Sequence, residues 1–493
     1  MSGALGSIQH FVVLMFENRS FDHLLGYAAL DNPQIDGLAT ARSNRQDPSN
    51  PNTPEVATTR AAAYAMPYDP NHEFADVAKQ LYAPGTAADP ITMGGFVVSA
   101  MEIAASFADG ARVMEGFQAD QVPVLTAFAR SFAVCNAWHS SLPGPTWPNR
   151  FFVHAATSGG LSGSPGTAEI LRGFAFPNGT IYERLRSAGL DWRIYHDGLP
   201  QSVGLDWLRP HYLNPFGSRF CDMGDFAADV ADGDLPAYTF IEPCYDTGSN
   251  YRNGNSMHPM NDIRQGEALL KAVYETLRNS ALWPATMLIV TFDEHGGFFD
   301  HVPPPAAAAT GDDSRYAGAG QPFVFDRLGV RVPGLVASAY TAPGTVISPL
   351  GAAHPVVFDH TSILRTVEQR FGLAPLTGRD AAANSLEAAL NLDVPRTDAP
   401  ARLPDPVPDI AALALRTPAT PPKVPPRAPL SANQKSLIDL ALKCSLDLTA
   451  PAFHEGLMKE HAAVRTQGQA ARYLARHDRV MAAHRRPRSR SRR

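Results

Sequence analysis

The chain has 493 residues, of which 44% are hydrophobic and 18% are charged, and its formal net charge is −6. This composition is typical of a globular protein with a core to bury, and it excludes a fibrous or fully disordered chain. The small net charge excludes a molecule-wide basic field of the kind that attracts nucleic acid, so no nucleic-acid partner is expected.

The N-terminal segment does not have the pattern of a secretory signal peptide. No basic region precedes its apolar run, FVVLMF, and polar residues follow that run at once. No stretch reaches the roughly 18 apolar residues that a membrane-spanning helix needs. The sequence as it stands therefore predicts a soluble, cytoplasmic protein.

Short apolar runs that alternate with helical patterns predict an α/β fold. The segment RQGEALLKAVYETLRNS (264–280), for example, places its apolar residues at helical spacing. Such alternation favours a mostly parallel central sheet flanked by helices. The predicted strands are FVVLMF (11–16), SFAVCNAW (131–138), LDWRIY (190–195), AYTFIE (237–242), TMLIVTF (286–292) and VRVPGLVASAY (330–340).

Polar clusters follow four of these strands. The carboxyl ends of parallel strands lie at one edge of a sheet, where sites usually form. We therefore expect these clusters to meet, although they come from distant parts of the chain. The clusters are ENRSFDH (17–23), HSSLPGPTWPNR (139–150), HDG (196–198) and DEHGGFFDH (293–301).

Two of the clusters contain oxygen ligands suited to a divalent cation. Glu17 and Asn18 present a carboxylate and an amide oxygen side by side, and Asp293 and Glu294 present two carboxylates. Simpler interpretations exist for both. Glu17 could cap a helix that begins near Ser20 or Asp22, and the second pair could form an acidic surface turn.

Thr146 lies between two prolines, after a Pro-Gly-Pro segment. This stiff backbone predicts a helix that starts near Trp147 or Pro148. The N–H groups at a helix N-terminus can hold a phosphate, so a hydroxyl at this position is well placed to act as a nucleophile. The alternative is that Thr146 only caps the helix.

Three histidines are candidates for phosphate contacts and proton transfer. His196 ends a predicted strand, His258 lies just ahead of a helix predicted to begin near Asp262, and His72 lies in the segment PNHEF. The alternative for each is a structural or exposed histidine.

Several long motifs together resemble the phosphoesterase family that contains bacterial phospholipases C, related acid phosphatases and plant non-specific phospholipases C. The resemblance covers roughly residues 8–375, and it implies an alkaline-phosphatase-like α/β fold. The motifs that carry it are ENRSFDH (17–23), SLPGPTWPNRFFVHAATSGG (141–160), HPMNDIRQGE (258–267), TFDEHGGFFDHVPPP (291–305) and FDHTSILRTVEQRFG (358–372).

The resemblance also implies roles for particular residues. One divalent metal ion, for which Ca, Mg, Mn and Zn all remain open, would be held by Glu17, Asn18, Asp293, Glu294 and the nucleophile Thr146. His72, His196 and His258 would line the phosphate pocket. His295, Asp300 and His301 would support the metal ligands or the fold. Trp147 stands where many members have a polar residue.

The implied activity is that of a metal-dependent phosphoric ester hydrolase. Threonine at position 146 resembles the phospholipase C branch, which implies cleavage of phosphatidylcholine-type lipids to diacylglycerol and a phospho-headgroup through a phosphothreonine intermediate. The alternative is an acid phosphatase that acts on small phosphomonoesters. The implied partners are a phospholipid or phosphate ester and, peripherally, a membrane. Exported members of the family leave secretion open.

Composition divides the chain near residue 400. Residues 1–400 form the expected catalytic domain, and the Pro-rich residues 401–430 form a linker or covering arm. Residues 431–484 carry helical patterns, the first with Ser431 as its N-cap. Residues 485–493 are an Arg-rich tail that we expect to be disordered. Such a tail also allows a different function, non-catalytic binding to anionic lipid.

Overall fold

The computed structural model describes residues 3–60, 62–83, 91–217, 219–246, 251, 253–311, 323–348, 355–408 and 430–484. Most of the expected linker and the whole Arg-rich tail lie outside these residues. The division into a catalytic domain, a linker and a helical segment stays a prediction.

A central eight-stranded sheet organises the fold, and its strand order is β12-β6-β11-β10-β1-β9-β7-β8. Two small two-stranded sheets, β2-β3 and β4-β5, accompany it. The strands are β1 (His10–Phe16), β2 (Ser43–Arg45), β3 (Glu55–Ala57), β4 (Thr59–Arg60), β5 (Glu115–Gly116), β6 (Ala133–Cys135), β7 (Trp192–His196), β8 (Phe220–Asp222), β9 (Tyr238–Glu242), β10 (Thr286–Phe292), β11 (Gly334–Ser338) and β12 (Thr345–Ile347).

The sheet is mostly parallel, as the sequence predicts. Within it, β11 is antiparallel to both of its neighbours, β10 and β6, whereas the other described pairs are parallel. All six strands expected from the apolar runs are present. The edge strands β8 and β12 were not predicted, because each has only three residues and shows no clear alternation.

Helices cover the sheet, and short 3-10 turns connect several of them. The α-helices are α1 (Ala4–Ser7), α2 (Phe21–Leu25), α3 (Phe74–Tyr82), α4 (Phe96–Ala100), α5 (Phe107–Ala111), α6 (Pro123–Ser131), α7 (Thr146–Ala155), α8 (Thr167–Arg172), α9 (Ile181–Ser187), α10 (Arg209–Tyr212), α11 (Phe226–Ala231), α12 (Ile263–Arg278), α13 (Thr361–Phe371), α14 (Gly378–Ala382), α15 (Ala432–Leu448), α16 (His454–Ala462) and α17 (Gln467–His484). The 3-10 turns are Arg112–Met114, Gln201–Gly204, Met223–Asp225, Trp283–Ala285, Leu386–Ala389 and Pro451–Phe453.

The two central strands, β1 and β10, explain why the site forms where it does. Every residue of β10 is buried, as is every residue of β1 after His10. Strands covered on both faces by helices are continuously apolar, as these are. The two strands pair in parallel, with Phe16 opposite Phe292. The residues that follow them therefore emerge side by side at the carboxyl edge of the sheet.

Three helix starts agree with the sequence analysis. The side chain of Ser20 accepts a hydrogen bond from the His23 N–H at the start of α2. Asp262 caps α12 in the same way, and Ser431 caps α15. The helix predicted near Trp147 begins one residue earlier, at Thr146 itself.

The C-terminal helices pack on the body of the protein. Helix α15 contacts α8 and the 3-10 turn Gln201–Gly204, and α16 and α17 contact α15. Among the described helices, none combines the length and the apolar character that a membrane crossing requires.

Candidate active site

The expected ligand residues meet at the ends of β1 and β10. Glu17 and Asn18 follow β1, and Asp293 and Glu294 follow β10; all four are buried. The Asn18 N–H donates a hydrogen bond of 2.9 Å to Asp293 Oδ1, and the Glu294 N–H donates one of 2.7 Å to the same oxygen. Parallel pairing thus places an amide and three carboxylates from two distant segments together.

The backbone at these strand ends turns sharply. Asn18 has a φ of 58° and Gly296 has a φ of 64°, a region that asparagine tolerates and glycine favours. A Cβ atom on Gly296 would lie 2.2 Å from the carbonyl oxygen of Asn18. The glycine therefore serves a specific purpose, because it allows the two turns to approach each other.

Thr146 joins this group from the first residue of α7. Its hydroxyl lies 3.5 Å from the Asn18 side-chain oxygen. The N-cap of α7 is Pro145, and no side chain caps this helix end. Ser20 caps α2, so Glu17 is not the cap of that helix. Pro145 occupies the N-cap position of α7, so Thr146 is not its cap either. The simpler interpretation of these two residues is therefore wrong.

The electrostatics of the carboxylates favour a bound cation. Among the described residues, neither oxygen of Glu17 has a hydrogen-bond partner, and Oε1 of Glu294 has none. Burial, opposed by Arg150 and reinforced by Asp293, raises the pKa of Glu17 to about 8. Burial, opposed by His72, raises the pKa of Glu294 to about 7. A divalent cation would supply the positive charge and the partners that these buried oxygens lack.

Arg150 provides positive charge on the other side of Asp293. Its Nε donates to Asp293 Oδ2 at 3.1 Å, and a second nitrogen donates to the Phe16 carbonyl at 3.1 Å. The guanidinium also lies 5.1 Å from the ring centre of Tyr245. Arg150 therefore fixes the orientation of Asp293 and ties it to the end of β1.

His72 approaches the ligand group directly. Its Nδ1 donates to the Pro70 carbonyl at 2.6 Å, which leaves Nε2 directed at the site. This nitrogen lies 3.3 Å from Asn18 Nδ2 and 3.9 Å from Glu294 Oε1. Burial alone would lower the pKa of His72, but the carboxylates of Glu294 and Asp69 raise it to about 10.

His258 is buried next to Asp69 and has both ring nitrogens engaged. Its Nδ1 accepts a hydrogen bond from the Met260 N–H at 3.3 Å, and its Nε2 lies 3.3 Å from Asp69 Oδ1. The ring stacks on Tyr251, with centroids 3.5 Å apart and planes 6° apart. The His258 ring thus lies between the Met260 N–H and Asp69 Oδ1.

His196 lies at the same edge of the sheet but two strands away from β1. It ends β7, it is buried, and its Nδ1 donates to the Gly198 carbonyl at 2.7 Å. Two strand spacings correspond to roughly 10 Å. No described contact joins His196 to the ligand group, so its part in a phosphate pocket stays a prediction.

His295 adjoins the ligand group through Glu294. Its Nδ1 lies 3.4 Å from Glu294 Oε2, and its Nε2 donates to Gln80 Oε1 at 2.7 Å. Burial lowers the pKa of His295 to about 3, so the ring is neutral. This arrangement fits the supporting role expected from the sequence.

Asp300 and His301 belong to a separate buried cluster around Arg331. Arg331 Nε lies 3.1 Å from Asp300, and its terminal nitrogen lies 2.9 Å from Asp22. His301 donates to Asp22 at 2.7 Å. Asp22, Asp300 and His301 together offer ligand atoms within 4.8 Å of one another. Arg331 pairs with both carboxylates, and, against the effect of burial, Asp22 and Asp36 raise the pKa of His301 to about 9. Because these two groups supply positive charge to the cluster, it needs no metal to balance its carboxylates.

Sequence reasoning missed several residues that shape the site. Arg150 lies four residues after Thr146, and this spacing places both residues on one face of α7. The spacing is the feature of the sequence from which Arg150 could have been predicted. Asp69 lies three residues before His72. His360 donates to the Asp293 carbonyl at 2.7 Å. Arg331 had no signal, because nothing near it in the sequence indicates a buried ion cluster.

Comparisons with known proteins place the chain in a family. The model of the Phosphoesterase family matches residues 8–374. Non-specific phospholipase C6 of Arabidopsis thaliana is 38% identical over 92% of this chain and 84% of its own length. Non-specific phospholipase C3 of the same plant is 38% identical over 81% of this chain and 76% of its own. Phospholipase C B of Mycobacterium tuberculosis is 30% identical over 86% of this chain and 87% of its own.

Solved structures are less similar. One neighbour is a protein in the alkaline phosphatase superfamily from Vibrio parahaemolyticus, with 16% identity and a TM-score of 0.33 over 54% of this chain and 64% of that one. The family match, in contrast, spans most of the chain, and the matched range contains the four residues expected to bind a metal and Thr146. The chain therefore belongs to the phosphoesterase family and is a phosphoric ester hydrolase.

Proposed function

We propose that this protein is a metal-dependent phospholipase C that releases diacylglycerol from phosphatidylcholine-type lipids. The observation that carries the proposal is that Thr146 lies beside Asn18 at the strand ends, where the buried carboxylates of Glu17 and Glu294 have oxygens without hydrogen-bond partners among the described residues. The relatives named phospholipase C support the choice of substrate class. A lipid substrate also requires peripheral contact with a membrane surface.

Glu17, Asn18, Asp293, Glu294 and Thr146 would hold one divalent cation. Bound there, the cation lowers the pKa of the threonine hydroxyl and stabilises charge on the phosphoryl oxygens. Arg150 and His360 keep Asp293 in place for this task. The oxygen-rich ligand set is compatible with Ca²⁺, Mg²⁺ and Mn²⁺, and Zn²⁺ also accepts such ligands.

The chain's own residues then supply a covalent route. Thr146 Oγ1 loses its proton to solvent, attacks phosphorus and forms a phosphothreonine diester, while the bond between phosphorus and the diacylglycerol oxygen breaks. His72, whose Nε2 faces the ligand group, gives a proton to the leaving oxygen. Water then attacks phosphorus and returns a proton to His72; the bond between phosphorus and Thr146 Oγ1 breaks, the phospho-headgroup is released, and Oγ1 takes up a proton from solvent. His258 steadies Asp69, and His196 is proposed to contact the phosphate from β7.

A direct assay tests this function. Purified protein is incubated with phosphatidylcholine vesicles, with p-nitrophenylphosphorylcholine and with p-nitrophenyl phosphate, each with and without EDTA. We expect release of diacylglycerol and phosphocholine that EDTA abolishes. Faster turnover of p-nitrophenyl phosphate than of either choline ester would identify an acid phosphatase instead. Lipid binding without any turnover would identify a non-catalytic binder.

A further inference from the structure

Two adjacent side chains beside the site have polar atoms that the fold does not use. Gln201 and Ser202 begin the 3-10 turn Gln201–Gly204 and are 3% and 2% exposed. Among the described residues, neither the oxygen nor the nitrogen of the Gln201 amide has a hydrogen-bond partner, and the Ser202 hydroxyl has none. Three buried polar atoms therefore lie unpartnered in one turn.

The backbone of this turn is firmly held. The N–H groups of Gln201 and Ser202 donate to the two oxygens of the Glu242 carboxylate at 2.7 and 3.0 Å. The hydroxyl of Tyr245 donates to the same carboxylate at 2.7 Å. Glu242 ends β9, next to β1 in the sheet. The backbone of Gln201 is therefore anchored to the carboxyl edge of the sheet.

Contacts on two sides connect the turn to the candidate active site. A Cβ atom on Gly204 would lie 3.0 Å from the ring of Trp147, the residue that follows the nucleophile Thr146. On the other side, Tyr245 lies under the guanidinium of Arg150, which holds the ligand Asp293. The turn that carries the unpartnered atoms thus packs against Trp147, next to Thr146, and is joined through Glu242 and Tyr245 to Arg150.

A buried amide without partners is costly, and a protein tolerates that cost where the group binds a ligand. We propose that Gln201, with Ser202, binds the polar headgroup that stays on the phosphate during cleavage. The amide oxygen accepts from N–H or O–H groups, and the amide nitrogen donates to hydroxyl oxygens. Ethanolamine, serine, glycerol and inositol headgroups offer such groups, whereas the trimethylammonium of choline offers no N–H or O–H.

The inference rests on the proposed function and extends its substrate range. Phosphatidylcholine binds without a hydrogen bond to Gln201, and headgroups that carry an amine or a hydroxyl gain one. The activity ratio for phosphatidylethanolamine over phosphatidylcholine, taken as kcat/KM for each lipid, measures this contribution.

Gln201→Met tests the assignment, because methionine has nearly the same length and volume but no hydrogen-bonding amide. We expect the ethanolamine-to-choline activity ratio to fall about tenfold, the value of one typical hydrogen bond. Gln265→Met, on the exposed face of α12, is the matched control and should leave the ratio unchanged. The thermal midpoint of Gln201→Met should equal or exceed that of the wild type, because an unpartnered polar group has been removed.

The outcomes separate this inference from the proposed function. An active Gln201→Met protein whose ratio is unchanged or raised would overturn the inference alone, and a lower thermal midpoint would then assign the amide to a buried water within the fold. A wild-type protein that releases no diacylglycerol from either lipid would overturn the proposed function and the inference with it.

Discussion

The hydroxyl of Thr146 lies 3.5 Å from the side-chain oxygen of Asn18, although the two residues are 128 positions apart in the chain. Asn18 is itself held by its N–H bond to Asp293. Thr146, the end of β1 and the end of β10 are thus connected through one asparagine. A displacement of any of the three would change the distance between the proposed nucleophile and the proposed metal ligands.

Replacing Thr146 tests the covalent route. Thr146→Ala should lower kcat on the order of a thousandfold or more, because no other group can take over a covalent step. Thr146→Ser should retain measurable turnover, because it keeps the hydroxyl. Both variants should fold, since the threonine side chain does not cap α7.

Trapping the intermediate complements this kinetic test. Wild-type protein quenched at low pH during turnover of phosphatidylcholine should carry phosphocholine on a peptide that contains Thr146, and mass spectrometry can locate it. Near wild-type rates in a folded, metal-loaded Thr146→Ala protein would instead point to direct attack by water.

Glu17→Gln tests the cation site through metal content as well as activity. The substitution keeps the shape of the side chain but removes one of the three carboxylates that face the proposed cation. Elemental analysis after dialysis should therefore show much less bound metal than in the wild type, together with a loss of activity. Full metal occupancy in the variant would contradict the assignment of Glu17 as a ligand.

For the metal-free protein, we expect Glu17→Gln to have no harmful effect on stability, in contrast to its expected effect on metal binding and activity. Burial raises the pKa of Glu17 to about 8, although Arg150 opposes the shift. A neutral amide avoids this cost, so Glu17→Gln should unfold at an equal or higher temperature than the wild type in EDTA. A large loss of thermal stability would show that the carboxylate supports the fold itself.

Much of this site could be predicted from the sequence, because it depends on local patterns. The apolar runs that end in Glu17-Asn18 and Asp293-Glu294 indicated both the central strands and the edge at which they end. Because parallel strands end at the same edge of a sheet, these two pairs of residues were expected to lie close together. Thr146 was found because a hydroxyl between prolines marks a helix start.

Other parts depend on contacts that no local pattern encodes. Asp69 contacts His258 across 189 positions by their numbering in the chain, and Arg331 neutralises Asp22 across 309. Each of these residues looks like an ordinary polar residue in its own segment. The part of His196 in a phosphate pocket stays a prediction.

Glu267 should make the stability of the protein depend on pH. Its carboxylate is buried at the start of α6, where it accepts a hydrogen bond of 2.8 Å from the Leu125 N–H. Burial raises the pKa of Glu267 from 4.5 to about 8. The folded protein therefore keeps a proton that the unfolded chain loses above pH 4.5, and this contribution to stability is lost as the pH rises to about 8.

Glu267→Gln keeps the acceptor oxygen but cannot ionise. Relative to the wild type, its free energy of unfolding should rise between pH 5 and pH 8, by up to about 1.4 kcal/mol per pH unit. Urea unfolding of both proteins at several pH values measures the difference. Parallel pH dependences would mean that Glu267 is ionised in the folded protein throughout this range.

Gly296→Ala tests the close approach of the two strand ends. Both Gly296 and Gly372 adopt a positive φ, 64° and 67°, so alanine at either position costs about 1 kcal/mol of backbone strain. A Cβ atom on Gly296 would also lie 2.2 Å from the Asn18 carbonyl oxygen, whereas one on Gly372 would meet nothing within 4 Å. The two substitutions therefore differ mainly in this contact.

Gly296→Ala should consequently push Asn18 away from Thr146 and Asp293. For Gly296→Ala we expect a loss of kcat of at least tenfold and reduced metal content. Gly372→Ala should lose about as much free energy of unfolding from backbone strain as Gly296→Ala does, but it should keep its activity. Activity assays, elemental analysis and thermal unfolding on both variants make the comparison. If Gly296→Ala remained as active as Gly372→Ala, the spacing between Asn18 and the turn after Glu294 would not control the geometry of the site.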